Sequence, residues 1–207
     1  RLPSLGNNIN ISWSPDGRYL AAGNSSDKIV VLDVAGGTCS ENIGFNYEVN
    51  EFSWSSNSDH LLVATGCIGS QMGGINVISF KENQLELAHS FASHNSNCFA
   101  LAIDRKFRRC LLGSADFLAS MWDLNDLICK YTVAYESQPS SVTFSGDGDR
   151  FCAAINNSNI DIYDSETGAK SLSLDVKVPT KLAAWHPKLN ICQQHERLGS
   201  MLVVHAL

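Results

Sequence analysis

The chain has 207 residues, 44% of them apolar, and 15 Lys and Arg stand against 21 Asp and Glu, a formal net charge of -6. That apolar share can bury a substantial core, and the negative balance gives no global attraction to a polyanion. No apolar run approaches the about 18 residues of a membrane span, and seven cysteines without a C-x-x-C pair argue for a reducing compartment rather than a disulfide framework. The start, Arg1-Leu2-Pro3, is neither an initiator methionine nor a signal peptide, so the sequence reads as opening inside a longer polypeptide.

In chain order, the first predicted strand alternates Ile9, Ile11 and Trp13, then breaks at Ser14-Pro15-Asp16-Gly17, whose residues suit a tight turn. Strands at Tyr19 to Ala22 and Ile29 to Leu32 follow, with a weaker, more polar one at Thr38 to Phe45. The same sequence of elements then recurs. Alternating inner strands end at Phe52-Trp54, Phe99-Leu101-Ile103, Val142-Phe144 and Ala183-Trp185, and polar outer strands are predicted at Leu85 to Phe91, Ile128 to Ala134 and Lys170 to Val176. The last repeat has no outer strand. The glycines from Gly66 to Gly74 read as a flexible loop; no Lys-Ser or Lys-Thr follows them, so a phosphate cradle lacks its cation.

The anchors Trp13, Trp54, Ile103, Phe144 and Trp185 are spaced by 41, 49, 41 and 41 residues. A second apolar-polar pair stands nineteen residues past four of them: Leu32-Asp33, Trp122-Asp123, Tyr163-Asp164 and Val204-His205. A period of about 40 to 45 residues is the mark of a WD-repeat β-propeller, an all-β fold of four-stranded blades that bury their faces against one another. The expectation is one partial propeller domain over residues 1–207, with repeats at 8–46, 47–93, 94–137, 138–179 and 180–207, as five consecutive blades of a larger ring. Each anchor is expected in the core between blades.

Several phrases are more specific: Asn8-Ile-Asn-Ile-Ser-Trp-Ser-Pro-Asp-Gly17, Tyr47-Glu-Val-Asn-Glu-Phe-Ser-Trp54, Asn97-Cys98, Trp122-Asp-Leu-Asn-Asp-Leu127 and Ala184-Trp-His-Pro-Lys188. In these, in their order and spacing, the chain resembles the THO complex subunit 3 family of WD-repeat proteins. The resemblance implies a seven-bladed propeller that works as a non-catalytic scaffold in the nucleus, in the THO/TREX assembly coupling transcription to messenger RNA processing and export. It implies other THO/TREX subunits as partners and indirect contact with messenger ribonucleoprotein. The residues themselves give no expectation of a membrane span, cofactor, metal or small-molecule substrate.

Three groups of residues are candidate sites. His94, Ser114, Asp116 and Trp122 match the buried hydrogen-bonded network of a WD-repeat blade, with Ser120 as an alternative hydroxyl; a catalytic Ser-His-Asp reading lacks a G-x-S-x-G elbow. Loop residues Phe45, Tyr47, Glu48, Asn95, Asn97 and Gln138 offer aromatics flanked by polar groups, the composition of an interface anchor. The run Arg105, Lys106, Phe107, Arg108, Arg109 places four cations around a ring, suited to RNA or an acidic partner. Direct RNA binding there, and a substrate receptor of a ubiquitin ligase, are the alternative functions. Cys192 and His195 are too few for a structural zinc, and Asp147 with Asp149 belongs to a tight turn.

Overall fold

A computed structural model of the chain describes residues 8–40, 43–66, 72–155, 159–175, 182–185, 191–195 and 201–205. Residues 67–71 of the glycine-rich stretch lie outside them, as do the side chains of Cys192 and His195. Two compact units, residues 1–98 and 99–207, divide the chain.

The first unit holds two antiparallel sheets. One runs β1 (Asn8–Trp13), β2 (Tyr19–Asn24), β3 (Lys28–Asp33) and β4 (Thr38–Cys39), with β5 (Ile43–Gly44) also pairing β3. The other runs β6 (Val49–Trp54), β7 (His60–Thr65), β8 (Gly73–Lys81) and β9 (Gln84–His94). Ala21, Ile29 and Val31 from the first sheet and Phe52, Trp54, Leu61, Val63 and Phe80 from the second form one core. Trp54, 1% exposed, donates its indole N–H to the Ser12 carbonyl at 3.0 Å, so a polar atom buried with the ring is satisfied.

The second unit continues the order with β10 (Cys98–Ile103), β11 (Arg109–Ser114), β12 (Leu118–Asp123) and β13 (Ile128–Ala134). A further four-stranded sheet comprises β14 (Ser141–Phe144), β15 (Arg150–Ala154), β16 (Asn159–Asp164) and β17 (Lys170–Asp175). The last sheet has three strands among the described residues: β18 (Leu182–Trp185), β19 (Ile191–His195) and β20 (Met201–His205). The period-two rule divides the faces of β15: Phe151 and Ala153 pack toward Leu111 and Met121, whereas Cys152 and Ala154 pack toward Ala183 and Trp185. One sheet thus seals two cores, the stacking that defines a propeller blade.

Three sequence expectations need correction. Trp13 is 53% exposed and Ile11 65%, while Trp54, Phe144 and Trp185 are buried and Ile103 half-buried. Trp54 is sealed by the first sheet; among the described residues of its unit, Trp13 meets no such neighbour. Gly73 and Gly74 are strand rather than loop, at the start of β8. A Cβ on Gly73 would fall 2.1 Å from the Ser96 carbonyl oxygen and one on Gly74 2.2 Å from that of Phe91, so only glycine permits the close pairing there. The outer strand of the first sheet is split into β4 and β5 rather than continuous from Thr38 to Phe45.

Candidate partner-binding site

Most of the loop residues singled out in the sequence come together in the first unit, where the chain enters β6 and β10. Asp27, in the left-handed region at φ 55°, pins the entry to β6: its carbonyl accepts from Phe45 N at 3.0 Å and its Oδ1 from Val49 N at 3.0 Å. Between these two clamps the rings of Phe45 and Tyr47 lie 5.5 Å apart at 35°. The Tyr47 hydroxyl accepts from Asn76 Nδ2 at 2.7 Å, and partial burial pushes its pKa above the ordinary tyrosine value, so it stays a neutral phenol. Glu48 is exposed at the carboxylate but held by its backbone, its carbonyl accepting from Gly66 N at 2.8 Å.

Asn97 joins from the next loop, donating Nδ2 to Glu48 Oε2 at 3.2 Å. Gly66 makes room for this pair, since a Cβ there would meet Glu48 Cβ at 2.9 Å and Asn97 Oδ1 at 3.2 Å. Asn95 is exposed in the same loop. Gln138 is exposed and belongs to the second unit, ahead of β14. The result is a fixed aromatic pair beside an exposed carboxylate and amides, a surface that loses little conformational freedom on binding. Asp27, Asn76 and Gly66, which hold it, escape a reading of sequence because a clamp has no local signature.

Of the other two candidate groups, the blade network is largely internal and the basic run is divided between surface and interior. Trp122 donates Nε1 to Ser120 Oγ at 2.7 Å, so Ser120, 1% exposed, is the tryptophan's hydroxyl partner, while Ser114 Oγ accepts from Asp116 N at 3.3 Å. His94, 4% exposed, ends β9 in the first unit. At the β10–β11 hairpin, Arg109 is buried: its Nη2 donates to the Gly148 carbonyl at 2.8 Å, its Nη1 lies 3.3 Å from Glu166 Oε2 and its Nε 3.6 Å from Asp104 Oδ2. Asp104, 1% exposed, also accepts from the backbone N–H groups of Arg108 and Arg109 at 2.7 and 3.1 Å. Burying a carboxylate demands a partner. Arg109 is therefore withdrawn from the expected binding tip, leaving Arg105, Lys106 and Arg108 exposed on it.

Residues 6–32, which span β1 to β3, match the family described as WD domain, G-beta repeat. Over 90% of its length the chain is 33% identical to THO complex subunit 3 of Arabidopsis thaliana. The chain is a WD-repeat β-propeller protein, homologous to THO complex subunit 3. It is also similar to Protein TEX1 of Saccharomyces cerevisiae, 26% identical over 64% of this chain and 33% of that one, and to WD repeat-containing protein AAC3 of Dictyostelium discoideum, 29% identical over 68% of this chain and 29% of that one. The homologous chain spans 57% of the Arabidopsis relative's length. Among solved structures, the β-propeller domain of Cps50 (Swd1) from Myceliophteria thermophila covers 95% of this chain and is itself covered to 82%, with a TM-score of 0.69 at 14% identity, a likeness of fold.

Proposed function

We propose that this WD-repeat protein is a non-catalytic scaffold of a THO-type assembly in the nucleus, acting where transcription is coupled to messenger RNA processing and export. Other THO/TREX subunits dock on the pinned surface of Phe45, Tyr47, Glu48 and Asn97, and messenger ribonucleoprotein is reached through those partners. The observation that carries this reading is the match to THO complex subunit 3 along 90% of the chain. The scaffold role is supported by serines that sit inside the blades: Ser114 and Ser120 are at most 1% exposed, beyond the reach of a substrate. Affinity purification of the full-length protein from nuclear extract is expected to recover other THO subunits. Recovery of none would refute the assignment.

A further inference from the structure

At the other end of β6, about 20 Å away for a six-residue strand, the hairpin tips of the first unit enclose a cleft of about 550 Å³. Its floor is aromatic: Tyr19 and Phe80 meet edge to face at 4.9 Å, and Trp54 stacks behind Tyr19 at 6.2 Å. Its rim is acidic. Asp16, Asp33 and Glu82 come from three different hairpins, and Arg18 is the cation among the lining residues. The unit as a whole leans the same way, with nine Asp and Glu against four Lys and Arg in residues 1–98, whereas residues 99–207 have twelve against eleven.

Arg18 displays what this setting offers a guanidinium. Its Nε and Nη2 donate to Asp33 Oδ2 at 3.1 and 2.9 Å, and its guanidinium carbon stands 5.0 Å from the centre of the Tyr19 ring. That pairing uses Asp33, whose other oxygen holds the N–H groups of Ala35 and Gly36. Asp16 shares the field of Arg18 without an ion pair to it, and among the described residues Glu82 forms no ion pair with that cation. A second, independent observation concerns Ser58: it is 6% exposed, lines the cleft, and its hydroxyl has no hydrogen-bond partner. The hydroxyl lies near enough to Asp16 to help keep that carboxyl ionised, yet closes no bond with it. A buried hydroxyl without a partner costs stability unless something completes it.

We infer that the cleft docks a basic segment of a partner protein, seating an arginine or lysine side chain between Asp16 and Glu82 against the Tyr19 and Phe80 rings, with Ser58 Oγ accepting one of its protons. Carboxylates on three sides repel phosphate, so the occupant is a cationic peptide and not nucleic acid. The inference does not depend on the assembly reading, whose surface is at the opposite end of β6.

The test is fluorescence anisotropy of a fluorescein-labelled Arg-Gly repeat peptide titrated with the full chain. Asn is the substitution of choice, because it keeps the Oδ1 acceptor at residue 16 and tolerates the left-handed φ of 51° at residue 82. Saturable binding is expected, weakened several-fold by Glu82→Asn and about tenfold by Asp16→Asn with Glu82→Asn. The exposed pair Glu136→Gln with Asp175→Asn, equal in charge removed, should bind as the parent does. Undiminished binding by Glu82→Asn, an exposed turn substitution that spares the fold, would overturn the inference. So would equal weakening by the Glu136 and Asp175 control, which would reduce the effect to net charge.

Discussion

The β1–β2 and β10–β11 hairpins make the same turn from different chemistry. In the first, Gly17 N donates to the Ser14 carbonyl at 2.9 Å, and two side chains share the remaining work: Ser14 Oγ accepts from Tyr19 N at 2.8 Å and Asp16 Oδ1 from Arg18 N at 3.0 Å. Ser145 and Asp147 repeat this division in the β14–β15 hairpin. In the β10–β11 hairpin, Phe107 N donates to the Asp104 carbonyl at 2.8 Å, but the third residue is Lys106 and cannot accept. Asp104 Oδ1 alone takes both N–H groups, of Arg108 and Arg109. Moving the carboxylate from an exposed third position to a buried first one requires a buried cation, and Arg109, at the position of Tyr19, supplies it. A basic run in sequence is thus partly internal counter-charge, and its surface field is weaker than its composition indicates.

The largest expected effect breaks this pair. Arg109→Met strands the Asp104 carboxylate and should lower stability by about 3 to 5 kcal/mol in urea unfolding of the full chain. Asp104→Ser with Lys106→Asp and Arg109→Tyr copies the β1–β2 solution and should restore stability to within about 1 kcal/mol of the parent; a near-neutral Arg109→Met would mean the turn does not need its cation. Smaller effects come from the fourth turn residue, left-handed in both hairpins, with φ 71° at Gly17 and 54° at Phe107. Gly17→Ala should cost about 1 to 2 kcal/mol, all of it backbone, because an added Cβ meets nothing within 4 Å. Phe107→Gly relieves the same strain but loses a half-buried ring, so its net change should stay within about 1 kcal/mol.

The smallest effect is on acid sensitivity. The Ser14 hydroxyl, then the Arg18 N–H, holds the Asp16 pKa below the ordinary carboxylate value, as the Ser145 hydroxyl does for Asp147; Asp33 is lowered first by the Gly36 N–H. A folded-state pKa below the unfolded one of about 3.9 gives stability that is complete above that value and lost as pH falls through the folded pKa. Tm should therefore be level from pH 7 to 5 and fall below pH 4. Because Asp16 is exposed and screened, Asp16→Asn should flatten the acid limb by only about 1 to 3 °C.

Much of the fold is legible in the sequence because strand alternation and a forty-one-residue step are both geometric necessities of stacked blades. Neighbours are not legible in the same way: Trp13 and Trp54 stand in equivalent phrases, yet among the described residues of the first unit a second sheet lies on Trp54 and not on Trp13. The entry loops at Phe45, Tyr47, Glu48 and Asn97 could be found from composition, whereas Gly66 and Gly73 looked like slack chain and are instead points of closest approach. Asp16, Asp33 and Glu82 are seventeen and forty-nine residues apart in sequence, so only the folded hairpins reveal them as one rim. Ser114 and Ser120 were equal in sequence as the hydroxyl for Trp122, and distance decides for Ser120.

The account rests on the pinned entry loops as the surface that recruits assembly partners. The most direct test is recovery of THO subunits by tagged full-length protein carrying Tyr47→Ala with Glu48→Arg, compared with the parent and with Trp13→Ala. Loss of the subunits in the first variant, at unchanged Tm, is the predicted result. Full recovery by that variant, or equal loss by Trp13→Ala, would contradict it.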